Sequence, residues 1–254
     1  MAIQFALLIS AAYLLGSVPA AYLAAKWSQG IDIRQYGSGN VGASNLLKFT
    51  SKKVAIPVII FDLGKGMLMV WAAQLVGLGF AQQVIVGLAV IVGHNWPAFL
   101  RFSGGRGGLT SLGVAVILVP KLGLILASFA FLLSASQHLA LGTILAIALL
   151  PICSWFSSAP VIRWLFGQPL STNEQLPVTL GFLAIFLVAV IRRLIAPRTS
   201  LTTSVPMGEL IVNRLLFDRD IRDREAWIHR TPTEANSAEL LLEQQKSKGR
   251  LNSK

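Results

Sequence analysis

Long apolar runs separated by short polar loops restrict this chain to a bundle of membrane helices. A helix needs about 20 apolar residues to cross a bilayer, and most of the runs approach or exceed that length. Two shorter runs flank Pro120-Lys121, and we expect two short helices tucked against the bundle rather than one broken hairpin, since short segments need shielding by protein. The sequence therefore predicts an all-α polytopic bundle of about seven transmembrane helices, two of them short, over about 3–25, 54–78, 82–100, 109–119, 122–133, 139–155 and 176–194.

The composition and its charge agree with a membrane protein. Hydrophobic residues make up 54% of the 254 positions and charged residues 13%, whereas an ordinary soluble domain has about 25% charged residues. The net charge is +11, and residues 1–197 carry twelve of the basic but only three of the acidic residues. This balance suits anionic lipid headgroups and anionic substrates. Because the basic residues lie on short loops between apolar runs, we expect the lipid bilayer and no nucleic acid as a partner.

The distribution of basic residues also predicts an orientation and two domains. The loops at 26–53 and 101–108 and the end of the last run at Arg192-Arg193 fall on one side, which the positive-inside rule assigns to the cytoplasm. We therefore expect the N-terminus outside and the C-terminus in the cytoplasm. Residues 1–197 form the predicted membrane domain. The polar tail, 198–254, is expected to contain an amphipathic helix and a disordered end past Pro232.

The stretch Gly93–Ser111 carries the densest chemistry in the chain. Gly104, Gly105, Gly107 and Gly108 surround Arg106, and an apolar run follows at once. Glycines let backbone N–H groups converge, and the N-terminus of the following helix favours an anion. We expect this central loop to hold a phosphate-bearing substrate at the membrane surface. The nearby His94 is either a base or a helix-end histidine bonded to a carbonyl group.

Two further groups of polar residues are candidates for the same site. In the first loop, small and amide residues run from Gly37 to Asn45 beside Arg34 and Lys48, which indicates either a phosphate and hydroxyl pocket or a plain turn-rich loop. Asp62 and Lys65 lie three residues apart inside an apolar run, on one helix face, so they can pair. Ionised groups in a span face a partner or a polar cavity, and the pair is either structural or in contact with substrate.

Together these motifs resemble the integral-membrane acyl-phosphate:glycerol-3-phosphate acyltransferases, the PlsY family, over residues 1 to about 195. The resemblance implies a seven-helix bundle in the bacterial plasma membrane with its motifs on the cytoplasmic side. It implies transfer of an acyl group from acyl phosphate to the sn-1 hydroxyl of glycerol 3-phosphate, which gives lysophosphatidic acid, the first step of phospholipid synthesis. It implies no metal, cofactor or acyl carrier protein at the site. The sequence does not indicate an oligomeric state.

The residues and the resemblance give one candidate site. Arg106 and the central loop are assigned to acyl phosphate, and the first loop is assigned to glycerol 3-phosphate. The proton of the attacking hydroxyl passes either to the substrate's phosphate or to His94. The candidate catalytic residues are His94, Arg106 and Asn45. The candidate substrate-binding residues are Ser17, Arg34, Ser38, Gly39, Asn40, Ser44, Lys48, Asp62, Lys65, Gly104, Gly105, Gly107, Thr110 and Arg193.

The chain departs from the family pattern in two places. The family usually has lysine where this chain has Arg106, and both residues are cationic. The third family motif, His-x-x-Asn-Ile-x-Arg-Leu, corresponds to residues 187–194, where the histidine and the asparagine are absent. The eroded third motif leaves a catalytically impaired relative as one alternative function. Charged groups inside spans and a broken helix leave a transporter of small anions or lipids as another.

Overall fold

The computed structural model describes residues 1–135, 139–167, 170–199, 202 and 205–232, and this part of the chain contains helices and no strand. The predicted all-α class is confirmed. In chain order the helices are α1 (Ala2–Gly16), α2 (Ala20–Gln29), α3 (Ala43–Phe49), α4 (Lys52–Leu75), α5 (Phe80–Asn95), α6 (Gly108–Leu118), α7 (Pro120–Ala135), α8 (Leu139–Trp155), α9 (Pro160–Phe166), α10 (Thr172–Leu194), α11 (Met207–Phe217) and α12 (Arg224–Ile228).

Among the described residues, four helical segments are long and apolar enough to cross a membrane. They are α1 with α2, α4, α5 with the short turn after it, and α10. A fifth span is possible if α8 and α9, which bend by 116° at their junction, act together. The two short apolar helices predicted around Pro120 are α6 and α7. Apolar multi-pass architecture is thus confirmed, while the count of seven transmembrane helices stays a prediction.

The first span is broken at Ser17–Pro19, as the proline there predicts. On the α1 side of the break the chain packs tightly against α5. A Cβ added at Gly16 would lie 2.2 Å from the Val90 carbonyl oxygen, and one at Gly93 would lie 2.2 Å from the Tyr13 carbonyl oxygen. This close approach brings the broken end of α1 next to His94, the following residue of α5.

A second close contact places the start of α6 against α4. A Cβ at Gly66 would lie 2.4 Å from the Thr110 carbonyl oxygen, and one at Gly113 would lie 2.1 Å from that of Leu63. The Thr110 hydroxyl donates to the Asp62 carbonyl over 3.0 Å. The central loop, which ends at α6, is therefore fixed beside the Asp62–Lys65 pair.

Two segments predicted as loops contain helices. The helix α3 forms within the loop 27–53, and α9 forms within the loop 157–174. The sequence carried signals for α9, because Pro160 starts it and Gly167, with φ of +85°, ends it. Length alone hid both, since seven-residue helices are too short to show a periodic pattern.

Candidate active site

The central loop folds back onto the end of α5, and its glycines lie where the loop approaches α5 most closely. The Gly105 N–H donates to the His94 carbonyl over 3.0 Å. A Cβ at Gly104 would lie 2.3 Å from that same carbonyl oxygen, and one at Gly105 would lie 2.1 Å from His94 Nε2 and 2.7 Å from the Val41 carbonyl oxygen. Glycine is required here because His94 and the first loop occupy the space a side chain would need.

Arg192, which was not among the predicted site residues, holds the central loop from the other side. It lies on α10 and is 6% exposed. Its Nε donates to the Gly105 carbonyl over 3.0 Å, and its Nη2 donates to the Gly104 carbonyl over 2.7 Å. In a planar trans peptide the next N–H points opposite to the carbonyl, so the Arg106 N–H faces away from Arg192. Two adjacent arginines at the end of a span were the only sequence signal for this role.

Its neighbour Arg193, a predicted substrate ligand, lies outside this contact. The Arg193 guanidinium donates to the Leu215 carbonyl over 2.8 Å and to the Ala140 carbonyl over 2.6 Å. These contacts tie α10 to α8 and α11. Consecutive residues on a helix face different directions, so only one of the two arginines can face the central loop.

Beneath the loop, Asp62, Lys65 and His94 form a buried cluster. Lys65 Nζ lies 2.8 Å from Asp62 Oδ1 and 2.8 Å from His94 Nδ1, and it also donates to the Gly16 carbonyl over 3.3 Å. His94 Nδ1 lies 3.5 Å from Asp62 Oδ1. With Lys65 as an ammonium group, which only donates, Nδ1 is the acceptor of this contact and a neutral ring carries its proton on Nε2. That nitrogen faces Gly105, and a neutral His94 therefore presents a donor to the site.

In the first loop the Asn45 side chain is buried and acts as an internal brace. Its Nδ2 donates to the carbonyls of Tyr36, Asn40 and Ile33 over 3.0, 3.2 and 3.3 Å, and its Oδ1 accepts from the Ser38 N–H over 3.3 Å. Its side-chain nitrogen and oxygen thus bond to loop backbone, which fixes the conformation in which the loop presents its other polar groups.

The remaining polar residues of the first loop surround that brace. The Ser38 hydroxyl accepts from the Asn40 N–H over 3.4 Å, while Asn40 Oδ1 is buried with no hydrogen-bond partner among the described residues. Arg34 pairs with Asp32 at 2.6 Å, and this hydrogen-bonded guanidinium lowers the pKa of the Asp32 carboxyl. Desolvation, with the nearby charge of Arg224, lowers the pKa of Lys48 to about 8. Gly39 takes a φ of +67° and Ser44 is exposed.

Residues of all three motifs line one narrow cleft beside the break between α1 and α2, the first loop through Val41 and not through its polar side chains. Of the predicted site residues, Asp62, His94, Gly104 and Gly105 line it. Ser17 lies behind its wall and accepts from the Ala98 N–H over 3.4 Å. An apolar groove of about 260 Å³ adjoins the cleft and shares Val18 and Pro19 with it; the rest of its lining is Tyr22, Leu23, Phe99 and Leu100.

Arg106 is largely buried, with its side chain 11% exposed, and forms an ion pair with Asp218 at the end of α11. Burial, together with the charges of Arg192 and Arg193, lowers the pKa of Arg106 to about 9, so its guanidinium stays charged near neutral pH. An anion that reaches Arg106 therefore has to compete with the Asp218 carboxylate.

Two buried polar side chains near the central loop were also missed. Asn95 is 0% exposed and Ser111 is 2% exposed. Neither the Asn95 amide nor the Ser111 hydroxyl has a hydrogen-bond partner among the described residues. Asn95 Oδ1 would lie 2.7 Å from a Cβ at Gly107, whose φ of +70° starts α6. A polar residue in an apolar run beside His94 was the signal for the first of these.

Comparisons with known proteins agree on one family. The sequence model described as glycerol-3-phosphate acyltransferase matches residues 6–196. Glycerol-3-phosphate acyltransferase 4 of Dehalococcoides mccartyi strain CBDB1 is 45% identical over 226 residues, 89% of this chain and 94% of that protein. Glycerol-3-phosphate acyltransferase 5 of D. mccartyi strain 195 is 43% identical over 242 residues, 95% of this chain and 100% of that protein. The latter alignment is longer than the family match, so it includes part of the segment after residue 196.

Two solved structures resemble the fold. Both are of PlsY (YgiH), an integral membrane glycerol 3-phosphate acyltransferase. The glycerol 3-phosphate form has a TM-score of 0.62 and 28% identity, covering 75% of this chain and 88% of that one. The lysophosphatidic acid form has a TM-score of 0.62 and 26% identity, covering 89% of this chain and 98% of that one.

Proposed function

The chain belongs to the glycerol-3-phosphate acyltransferase family and is an integral-membrane acyltransferase, and we propose that it uses acyl phosphate to acylate the sn-1 hydroxyl of glycerol 3-phosphate. The product is lysophosphatidic acid. One observation carries the proposal: Val41 of the first loop, Asp62, and His94 with Gly104 and Gly105 of the central stretch line a single cleft, and an apolar groove continues from it. A site for two phosphate-bearing substrates, one with an acyl chain, needs both parts.

The reaction needs positioning more than covalent help from the protein. Acyl phosphate is a mixed anhydride with phosphate as a good leaving group. The sn-1 oxygen attacks the acyl carbon, the bond from that carbon to the phosphate oxygen breaks, and the phosphate leaves with the electron pair. Arg106 and the central loop hold the phosphate, while the groove at Tyr22 and Phe99 receives the chain. Holding two reactants in line removes much of the barrier.

His94 acts in this scheme as a donor. Because its Nδ1 accepts from Lys65 over 2.8 Å, its Nε2–H is available to stabilise negative charge on the acyl oxygen or the phosphate. The proton lost by the attacking hydroxyl then passes to the departing phosphate. Lys65 and Asp62 serve as positioning residues that fix the ring.

We expect His94→Gln to keep substantial activity, with kcat reduced by no more than about tenfold, because glutamine can still donate a hydrogen bond. A general base contributes about 10²- to 10⁴-fold. Steady-state kinetics against pH, alongside the melting temperature, measure the effect. A loss of a thousandfold or more in a variant that melts like the wild type would show that His94 is the base instead.

The direct test of the function uses purified protein with palmitoyl phosphate and glycerol 3-phosphate. We expect lysophosphatidic acid and inorganic phosphate in equal amounts, with product formation requiring both substrates. Absence of product from correctly folded protein, combined with uptake of glycerol 3-phosphate into liposomes, would instead indicate a transporter.

We further propose that the face carrying the site is cytoplasmic, with the N-terminus outside and residues 1–197 as the acyltransferase domain. The first loop, the central loop and the end of α10 share this face, since Arg192 bonds to Gly104 and the Val41 carbonyl abuts Gly105. Their basic residues support a cytoplasmic location.

A further inference from the structure

The C-terminal segment, residues 205–232, lies beyond the family match and packs across the face that carries the site. Arg214 pairs with Asp220 through hydrogen bonds of 2.7 and 2.9 Å, and both residues are buried. Arg214 also donates to the Leu194 carbonyl, and Arg193 donates to the Leu215 carbonyl over 2.8 Å. Bonds in both directions thus join the segment to the end of α10. The positions past Pro232, predicted to be disordered, lie outside the described residues.

The last part of this segment binds the first loop at Gly37. Arg230 Nε donates to the Gly37 carbonyl over 3.0 Å, and the Gly37 N–H donates to the Arg230 carbonyl over 2.8 Å. Arg230 is 7% exposed, and its Nη2 would lie 3.5 Å from a Cβ at Gly39. Both polar groups of one loop residue are therefore held by one residue that lies 193 positions away.

Fixing the first loop in this conformation costs conformational entropy. Gly37 and Gly39 have φ values of +52° and +67°, and glycine loses the most conformational freedom when it is fixed. Asn45 braces the loop from inside, whereas Arg230 closes it from outside. Without the Arg230 side chain the Gly37 carbonyl loses its donor while the Gly37 N–H keeps the Arg230 backbone carbonyl, and we expect the placement of Ser38 and Asn40 to loosen.

We propose that Arg230 is a positioning residue of the active site, which holds the first loop in the geometry that binds glycerol 3-phosphate. The inference rests on the proposed function, because it assigns that substrate to this loop. It makes the C-terminal segment a support for the substrate site formed by residues 1–197. It also separates the two substrates, because Arg230 affects glycerol 3-phosphate binding through the first loop and leaves acyl phosphate binding unchanged.

The test compares Arg230→Ala, Arg230→Gln and Arg230→Lys in the full chain, with palmitoyl phosphate and glycerol 3-phosphate. We expect Arg230→Ala to raise the KM for glycerol 3-phosphate by about tenfold, the effect of one lost charge-assisted bond, with the KM for palmitoyl phosphate within about twofold of the wild-type value. Arg230→Gln keeps a donor for the Gly37 carbonyl, so its KM for glycerol 3-phosphate should stay close to the wild-type value. The matched control is Arg222→Ala, at an arginine of the same segment whose side chain is 80% exposed, and it should change neither KM.

Three outcomes would overturn the inference. One is a KM for glycerol 3-phosphate that stays within twofold of the wild-type value in Arg230→Ala. Another is an equal rise in both KM values, which would mean that Arg230 does not act through the glycerol 3-phosphate loop alone. The third is rescue by lysine but not by glutamine. That result would mean that the positive charge of the side chain attracts the substrate, and that the hydrogen bond to the Gly37 carbonyl is not what matters. If Arg230→Ala does not fold, the glutamine and lysine variants still distinguish the hydrogen bond to Gly37 from the positive charge of the side chain.

The failure of this inference is distinguishable from failure of the proposed function. If the wild-type protein makes no lysophosphatidic acid, the function is wrong. If the wild-type protein is active and Arg230→Ala has unchanged kinetics, only the role of Arg230 is wrong.

Discussion

Replacing Arg106 with alanine is expected to raise the KM for acyl phosphate by about 10- to 100-fold, since hydrogen bonds to charged groups contribute about 1.5–3 kcal/mol and about 1.4 kcal/mol is tenfold. Arg106 is the one cation among the glycines from Gly104 to Gly108 of the central loop, and its buried side chain has an anionic partner, Asp218. We expect the substrate phosphate to replace that carboxylate when it binds. The KM for glycerol 3-phosphate, which we propose binds at the first loop, should change little.

Two further variants make the Arg106 prediction specific. Arg106→Lys keeps the charge and should raise the KM for acyl phosphate by less than about tenfold, because lysine lacks only the bidentate geometry. Asp218→Asn removes the competing carboxylate, so we expect it to lower the same KM. Initial rates with palmitoyl phosphate varied at saturating glycerol 3-phosphate measure all three. An unchanged KM in Arg106→Ala would remove Arg106 from the acyl phosphate site.

The parts of the site that the sequence could predict are those set by local spacing. Asp62 and Lys65 are one helical turn apart, so their pairing at 2.8 Å follows from the helix itself. The contact between the central loop and His94 is likewise local, because His94 and Gly105 are close along the chain and a turn brings them together. Both contacts can be predicted without knowing how the other helices of the bundle pack.

Contacts across the bundle could not be predicted in this way. Whether Arg192 or Arg193 reaches the central loop depends on how α10 is rotated, and nearly continuous apolar sequence leaves that rotation undefined. The family pattern favoured Arg193, but it is Arg192 that bonds to the loop.

The C-terminal segment shows the same limit more strongly. Its alternating charges from Asp218 to Glu225 are typical of a solvated surface. The fold nevertheless buries Asp220 against Arg214 and places Asp218 on Arg106. Asp220 has its partner on the same segment, so its sequence looks like that of a surface residue until its burial is known. Asp218 has a partner more than a hundred positions away, which local sequence does not indicate.

We expect Gly105→Ala to lower kcat by about a hundredfold or more, since displacing reacting groups by about 1 Å can have that effect. The new methyl group would lie 2.1 Å from His94 Nε2 and 2.7 Å from the Val41 carbonyl oxygen. His94 cannot turn aside without breaking its 2.8 Å contact with Lys65, and Val41 is backbone of the first loop. The central loop must therefore shift away from both, and we expect the phosphate that we assign to this loop to shift with it.

Gly64→Ala provides the matched control, because the same methyl group there meets nothing within 4 Å. Gly64 lies inside α4, one residue before Lys65, so the change should stabilise the helix by about 0.5–1 kcal/mol and leave kcat as it is. Turnover and melting temperature of both variants separate a local obstruction from general damage. If Gly105→Ala kept more than half of the wild-type kcat, the loop would be free to move during turnover, and His94 Nε2 would not be held against the substrate phosphate.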